Sequence, residues 1–199
     1  MAEKGRLIVI SGPSGAGKSS VVNRAIQGRE DMCFSTSVTT RAPRPGEVDG
    51  KDYFFIDQAR FQEMVDKGEL LEHAGYVAHS YGTPKAYVEK QIEAGFNVIL
   101  DIEVQGARQV KEKKPDAVLV FILPPSMEEL RSRLIKRGTD SAEVIEARLT
   151  RAREELKEAS LYDYIIINDK LDEAAADFAA ILQAERCRYA QRRGFVEQL

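Results

Sequence analysis

Eight residues, Gly12-Pro13-Ser14-Gly15-Ala16-Gly17-Lys18-Ser19, fit the pattern G-x-x-x-x-G-K-S/T. Glycines at those places let the backbone wrap tightly and aim several N–H groups at one point. A helix starting there adds the positive end of its dipole, so the segment can cradle polyphosphate oxygens. Lys18 adds a point charge able to follow a phosphoryl group in transit. The Ser19 hydroxyl is placed to ligate Mg²⁺. Asp101, near the end of the apolar run Asn97-Val98-Ile99-Leu100-Asp101-Ile102, is the second candidate for that ion, held directly or through its waters. Arginines recur further on, at Arg131, Arg133, Arg137, Arg148, Arg151 and Arg153. Some of these solvate a helix face. Others suit a mobile helical flap that brings guanidinium groups onto transferring phosphate.

The flanking elements must position these groups. Leu7-Ile8-Val9-Ile10 reads as a buried strand, and Ser20 to Gln27 as a helix closed by Gly28. Phe34 to Arg41 is short and β-prone, and Ala42-Pro43-Arg44-Pro45-Gly46-Glu47 breaks regular structure. Asp52 to Ile56 reads as a strand, and Asp57 caps a helix with Phe61, Met64 and Val65 on one face, closed by Gly68. Glu69 to His73 and Tyr76 to His79 read as two more strands. This crowding of strands marks residues 35–82 as an inserted β-rich subdomain. Thr83-Pro84 supplies an N-cap and a first-turn proline for a helix ending near Ala94. Glu103 to Lys114 reads as a helix, Ala117 to Leu123 as a strand, and Ser126 with Glu129 as a capping box. Residues 126–157 form a helical lid, Tyr164 to Ile167 the last core strand, and a final helix buries Ala174, Phe178, Ile181 and Leu182.

Apolar runs at Leu7, Val98, Ala117 and Ile165, separated by helices, imply an α/β fold of the P-loop NTPase type: a parallel sheet with helices on both faces. The expected organisation is one domain over residues 1–199, with a core of 1–34, 83–125 and 158–199. Ligands gather at the carboxyl ends of such strands, where Ser11, Asp101, Pro124 and Asn168 lie. The formal net charge is −3, which gives no global basic field for nucleic acid or a membrane surface. Cys33 and Cys187 lack metal-ligand spacing and read as reduced thiols of a cytoplasmic protein. No apolar run approaches membrane-spanning length.

The loop fixes a nucleoside triphosphate without fixing the reaction. Asn168-Asp169-Lys170-Leu171 does not match the guanine motif of GTPases, whereas the length, the inserted subdomain and the arginine-rich flap suit a small-substrate kinase. The loop sequence, Ser37-Val38-Thr39-Thr40-Arg41-Ala42-Pro43-Arg44-Pro45-Gly46-Glu47, Gly50-Lys51-Asp52-Tyr53, Tyr81-Gly82-Thr83, Leu100-Asp101-Ile102-Glu103-Val104-Gln105-Gly106 and Pro124-Pro125-Ser126 together resemble the guanylate kinase family. The resemblance runs from about Arg6 to the C-terminal helix.

It implies transfer of a phosphoryl group from ATP to GMP, and to dGMP with the same base, giving ADP and a nucleoside diphosphate with Mg²⁺, in purine nucleotide metabolism. It places Arg41, Arg44, Glu47, Tyr53 and Tyr81 about the acceptor phosphate, and Ser37, Glu72 and Thr83 on guanine with Asp101 and Glu103 nearby. Arg137 and Arg148 resemble flap arginines, and Asn168 a residue near adenine. Catalysis falls to Lys18, Arg41, Arg137 and Arg148, and the state is a monomer or homo-oligomer. The chemistry agrees: planar guanidinium groups suit a phosphate monoester dianion. A carboxylate at Glu72 can accept from both guanine N1–H and N2–H, and adenine would leave it unpaired. The alternatives are a guanylate-kinase-like phosphopeptide-binding module without activity, and a kinase for another monophosphate or a phosphorylated sugar.

Overall fold

The computed structural model describes residues 4–76, 79–138 and 140–199, with Tyr76 described for its backbone alone. In chain order the elements are β1 (Leu7–Ser11), α1 (Lys18–Ala25), β2 (Met32–Phe34), β3 (Val38–Thr39), β4 (Phe54–Phe55), α2 (Gln58–Asp66), β5 (Leu70–Tyr76) and β6 (His79–Pro84). Then come α3 (Lys85–Glu93), β7 (Asn97–Asp101), α4 (Val104–Lys113), β8 (Val118–Leu123), α5 (Met127–Lys136), α6 (Ala142–Lys157), a single 3-10 turn, β9 (Tyr164–Ile167), α7 (Leu171–Arg186) and α8 (Tyr189–Val196). A five-stranded sheet has the order β2-β7-β1-β8-β9, and a four-stranded sheet the order β4-β3-β6-β5. The chain is α/β, with two compact units, one of residues 10–29 and 119–199, the other of residues 4–9 and 30–118. Among the described residues no helix is long and apolar enough to cross a membrane.

In the first unit, β8 and β9 pair in parallel, Val120 opposite Tyr164. β8 is an unbroken apolar run from Val118 to Ile122, every residue buried, as a strand covered on both faces should be. Helix α1 buries Val21 and Val22, and α7 buries Ala174, Ala175, Phe178 and Leu182. Ser126 Oγ accepts from Glu129 N at 3.1 Å and starts α5; Ser141 Oγ accepts from Val144 N at 3.4 Å and starts α6. These two helices share a small core of Leu130, Leu134, Ile145, Leu149 and Ala152, with Met127 packed against it. Arg131 pairs with Glu146 across them, and Arg151 with Glu155 along α6. Both arginines thus hold ion pairs with glutamates on exposed helix faces.

In the second unit, β2 and β7 pair in parallel, Met32 opposite Asn97. The β-prone stretch over Phe34 to Arg41 is split: its first residue closes β2 and its middle forms β3. The chain ends one sheet at Phe34 and begins the other at Val38, so the β-prone stretch serves both. In the smaller sheet β3 runs parallel to β4 and antiparallel to β6, which runs antiparallel to β5. Helix α2 is capped by Asp57 Oδ1, which accepts from Arg60 N at 2.7 Å, and packs Phe61 and Met64 on Val38 and Leu70. The expected Tyr76–His79 strand overlaps residues 77 and 78, which lie outside the described residues. Thr83 is not a helix cap: β6 runs through it to Pro84, which takes the N-cap of α3. The final helical region is two helices, α7 and α8, where one was expected.

Candidate active site

The phosphate loop lies in the first unit. Gly12, Gly15 and Gly17 take φ of 146°, 97° and 88°, a region that side chains disfavour. A Cβ on Gly12 would meet the Ile122 carbonyl oxygen at 2.1 Å, and one on Gly17 would meet Asn168 Nδ2 at 2.4 Å. Lys18 Nζ donates to the Gly12 carbonyl at 2.7 Å, bridging the loop, while Ser14 and Ser19 are exposed. Pro13 and Ala16 are buried and anchor it.

Polar side chains from distant sequence hydrogen-bond to this loop. Buried Asn168 donates from Nδ2 to the Ala16 carbonyl at 2.8 Å. Arg148 donates to Ser14 Oγ at 3.1 Å and to Asp140 Oδ1 at 3.4 Å. Arg133 donates to the Asn168 carbonyl at 2.9 Å and the Ala16 carbonyl at 3.4 Å, and its Nε binds Glu129 at 2.8 Å. Nothing in the sequence singles Arg133 out from the other recurring arginines, since its i,i+4 spacing from Glu129 looks like an ordinary surface pair. Arg137 is exposed at the C-cap of α5. Gly17→Ala is expected to weaken ATP use at least tenfold and to lower Tm. A left-handed φ costs a side chain about 1–2 kcal/mol before the Asn168 clash is added. ATP titration and a thermal melt check it.

The second unit holds the other group of residues. Arg41 makes a two-pronged pair with Glu47, Nη1 to Oε2 at 2.9 Å and Nη2 to Oε1 at 2.8 Å. Its guanidinium also lies 5.4 Å from the Tyr53 ring centroid and 5.8 Å from that of Phe55. Tyr53 and Tyr81 meet edge to face at 6.1 Å. The Arg41 side-chain hydrogen bond, then the Arg44 backbone N–H at 2.7 Å, hold the Glu47 carboxyl below its ordinary range. Arg44 is itself exposed and enters through its main chain. Four expected residues, Ser37, Tyr53, Thr83 and Asp101, line one cavity of about 160 Å³. Ser35 lines it too, and its buried hydroxyl has no hydrogen-bond partner among the described residues, so a polar ligand atom would satisfy it. Nothing in the sequence distinguishes Ser35 from neighbouring hydroxyls.

Glu72 is 6% exposed, an unusual place for a carboxylate. The Thr83 hydroxyl, itself fully buried, donates to its Oε1 at 2.6 Å. Burial pushes the Glu72 carboxyl above its ordinary range; the Thr83 hydrogen bond and Lys113 oppose this, and Glu103 adds to it. Glu103 is exposed at the N-cap of α4, and Asp101 exposed at the end of β7.

Residues 4–185 match the family model described as guanylate kinase. The chain belongs to the guanylate kinase family. It is 53% identical over 188 residues to the guanylate kinase of Lactococcus lactis, covering 94% of this chain and 92% of that relative. It is 52% identical over 185 residues to the guanylate kinase of Thermus thermophilus, covering 93% and 84%. The crystal structure of guanylate kinase from Anaplasma phagocytophilum superposes with a TM-score of 0.72 at 36% identity, covering 95% of this chain and 90% of that one. Likeness to the SH3-kinase fragment of tight junction protein 3, at 12% identity and a TM-score of 0.50, shows a shared fold alone.

Proposed function

We propose that this guanylate kinase family member transfers the γ-phosphoryl group of ATP to GMP, reversibly and with Mg²⁺, giving ADP and GDP, and that dGMP is a second acceptor. The observation that carries the choice of acceptor is the buried Glu72–Thr83 pair at 2.6 Å. A carboxylate is acceptor-only when ionised, and the guanine edge offers two adjacent donors for it. The proposed arrangement is one domain with a GMP-binding part at 35–82 and a lid at 126–157.

ATP phosphates take the 12–19 loop, Lys18 and Arg148, with Arg137 as a further cation, and Asn168 lies toward adenine. The GMP phosphate takes Arg41, Arg44, Tyr53 and Tyr81, with Glu47 holding the Arg41 fork in readiness. Ser37, Glu72 and Thr83 read the base, with Asp101 and Glu103 near it. The acceptor phosphate has a second pKa of about 6, so near neutral pH it is already a nucleophile and needs no general base. The residues then align the reactants and offset their charge. The Ser19 hydroxyl and the Asp101 carboxylate are each a hard oxygen donor of the kind Mg²⁺ takes, and that ion needs only one or two protein groups beside phosphate and water. When bound, that ion neutralises phosphate charge. No nucleic acid or membrane partner is proposed, and the chain is placed in the cytoplasm.

A coupled ADP-release assay with GMP, dGMP, AMP, UMP and dTMP tests the proposal. The expected result is turnover with GMP and dGMP. A preference for AMP removes Glu72 from its role, and no turnover with any acceptor favours a binding module. A pH series adds a second check. The raised Glu72 carboxyl accepts guanine donors only when ionised, so the KM for GMP is expected to rise as pH falls through its range above 4.5. The acceptor phosphate titrates nearby, so the profile is compared with that of Glu72→Gln, which keeps the phosphate inflection and loses the carboxyl one.

A further inference from the structure

The register of β5 and β6 slips beside Glu72. Leu70 pairs with Pro84 and His73 with Gly82, so β5 spends three steps where β6 spends two. Leu71 and Glu72 therefore both oppose Thr83, a bulge that re-aims a side chain. Among the described residues β5 is also an edge of its sheet, with no strand on its outward side. A helix supplies the partner. Gln109 Oε1 accepts from His73 N at 3.1 Å, and Gln109 Nε2 donates to the His73 carbonyl at 3.1 Å. One planar amide thus does what a facing strand would do. One turn later, Lys113 Nζ donates to the Leu70 carbonyl at 3.0 Å. The two contacts bracket the bulge on both sides of Leu71 and Glu72. Towards the start of α4, buried Gly106 approaches so closely that a Cβ would lie 3.0 Å from Glu72 Oε2. Gly106, Gln109 and Lys113 follow steps of three and four, one stripe of the helix.

We infer that Gln109 is a positioning residue for acceptor selection: by clamping the His73 main chain it fixes the bulge that aims the Glu72 carboxylate. The inference rests on the reading of Glu72 as the group that accepts from guanine. Only a side chain with both a donor and an acceptor can serve the two His73 groups. Leucine serves neither, and glutamate serves the N–H while setting its charge against the carbonyl.

The test is acceptor discrimination by the full chain, with GMP against inosine monophosphate, which keeps the N1–H and lacks the 2-amino group. For Gln109→Leu the GMP-to-inosine ratio of kcat/KM is expected to fall about tenfold, with the KM for ATP unchanged within about twofold. A purely structural role lowers the active fraction equally for both acceptors and leaves the ratio where it was; that result overturns the inference. Gln109→Glu, which keeps the His73 N–H satisfied, is the second variant and reads the same ratio if the leucine chain does not fold. Glu72→Gln runs alongside. If it collapses the ratio while both Gln109 variants preserve it, the positioning role fails and Glu72 stands. If Glu72→Gln itself leaves the ratio unchanged, the reading of Glu72 fails and the inference falls with it.

Discussion

Lys18→Ala is expected to lose about 10³-fold in kcat while remaining folded, the scale seen when one preorganised cation is taken from a phosphoryl-transfer site. The separation of the two effects follows from what holds the loop. Its shape is set by the left-handed glycines, and Gly17 lies against Asn168 Nδ2. Asn168 and Arg133 both bind the Ala16 carbonyl, and Arg133 also binds the Asn168 carbonyl. Lys18 contributes one hydrogen bond, Nζ to the Gly12 carbonyl at 2.7 Å. Its loss costs about 1 kcal/mol of stability, since the carbonyl can turn to water instead. The melt therefore moves by a few degrees while turnover collapses. The measurement pairs ADP release at saturating GMP with a thermal melt of the same preparation. Full activity in the alanine variant would remove the loop from the reaction.

What could be read from the sequence was what neighbours in the sequence decide. Asp57 and Ser126 announce helix starts, and each side chain accepts the expected backbone N–H. The loop glycines announce a backbone that only glycine tolerates, and three of them have the positive φ. Non-local pairings were not legible in this way. Thr83 before Pro84 looks like a cap because that dipeptide usually is one. In the fold, pairing of Leu70 with Pro84 carries β6 through it and turns its hydroxyl onto Glu72. β2 is three residues long and gains its place only by lying beside β7. Arg133 and Gln109 look like solvated helix residues until their partners, 35 and 36 positions away, are known. The resemblance to guanylate kinase motifs supplied Glu72, which composition alone would leave as one more exposed carboxylate.

Glu72→Gln is expected to reduce kcat/KM for GMP about 10²-fold and to leave the KM for ATP unchanged, because one charged acceptor is exchanged for a group half of which is a donor. The Thr83 hydroxyl donates to Oε1 at 2.6 Å, so the amide oxygen of the variant stays there. Its NH₂ then faces guanine donors, donor against donor. Stability moves the other way. Burial raises the Glu72 carboxyl above its ordinary 4.5, so ionised Glu72 favours the unfolded chain. That carboxyl's contribution is fully favourable below the unfolded pKa and is lost as pH rises through the folded one. A neutral amide of the same shape escapes the loss, so the variant is expected to melt at least as high as the parent at neutral pH and to lose that advantage in acid. A variant that binds GMP poorly because it is damaged melts lower at every pH; one that binds poorly because the base has lost its acceptor does not. GMP kinetics and melts at pH 5 and pH 8 separate the two, and an undiminished kcat/KM for GMP would take Glu72 out of base recognition.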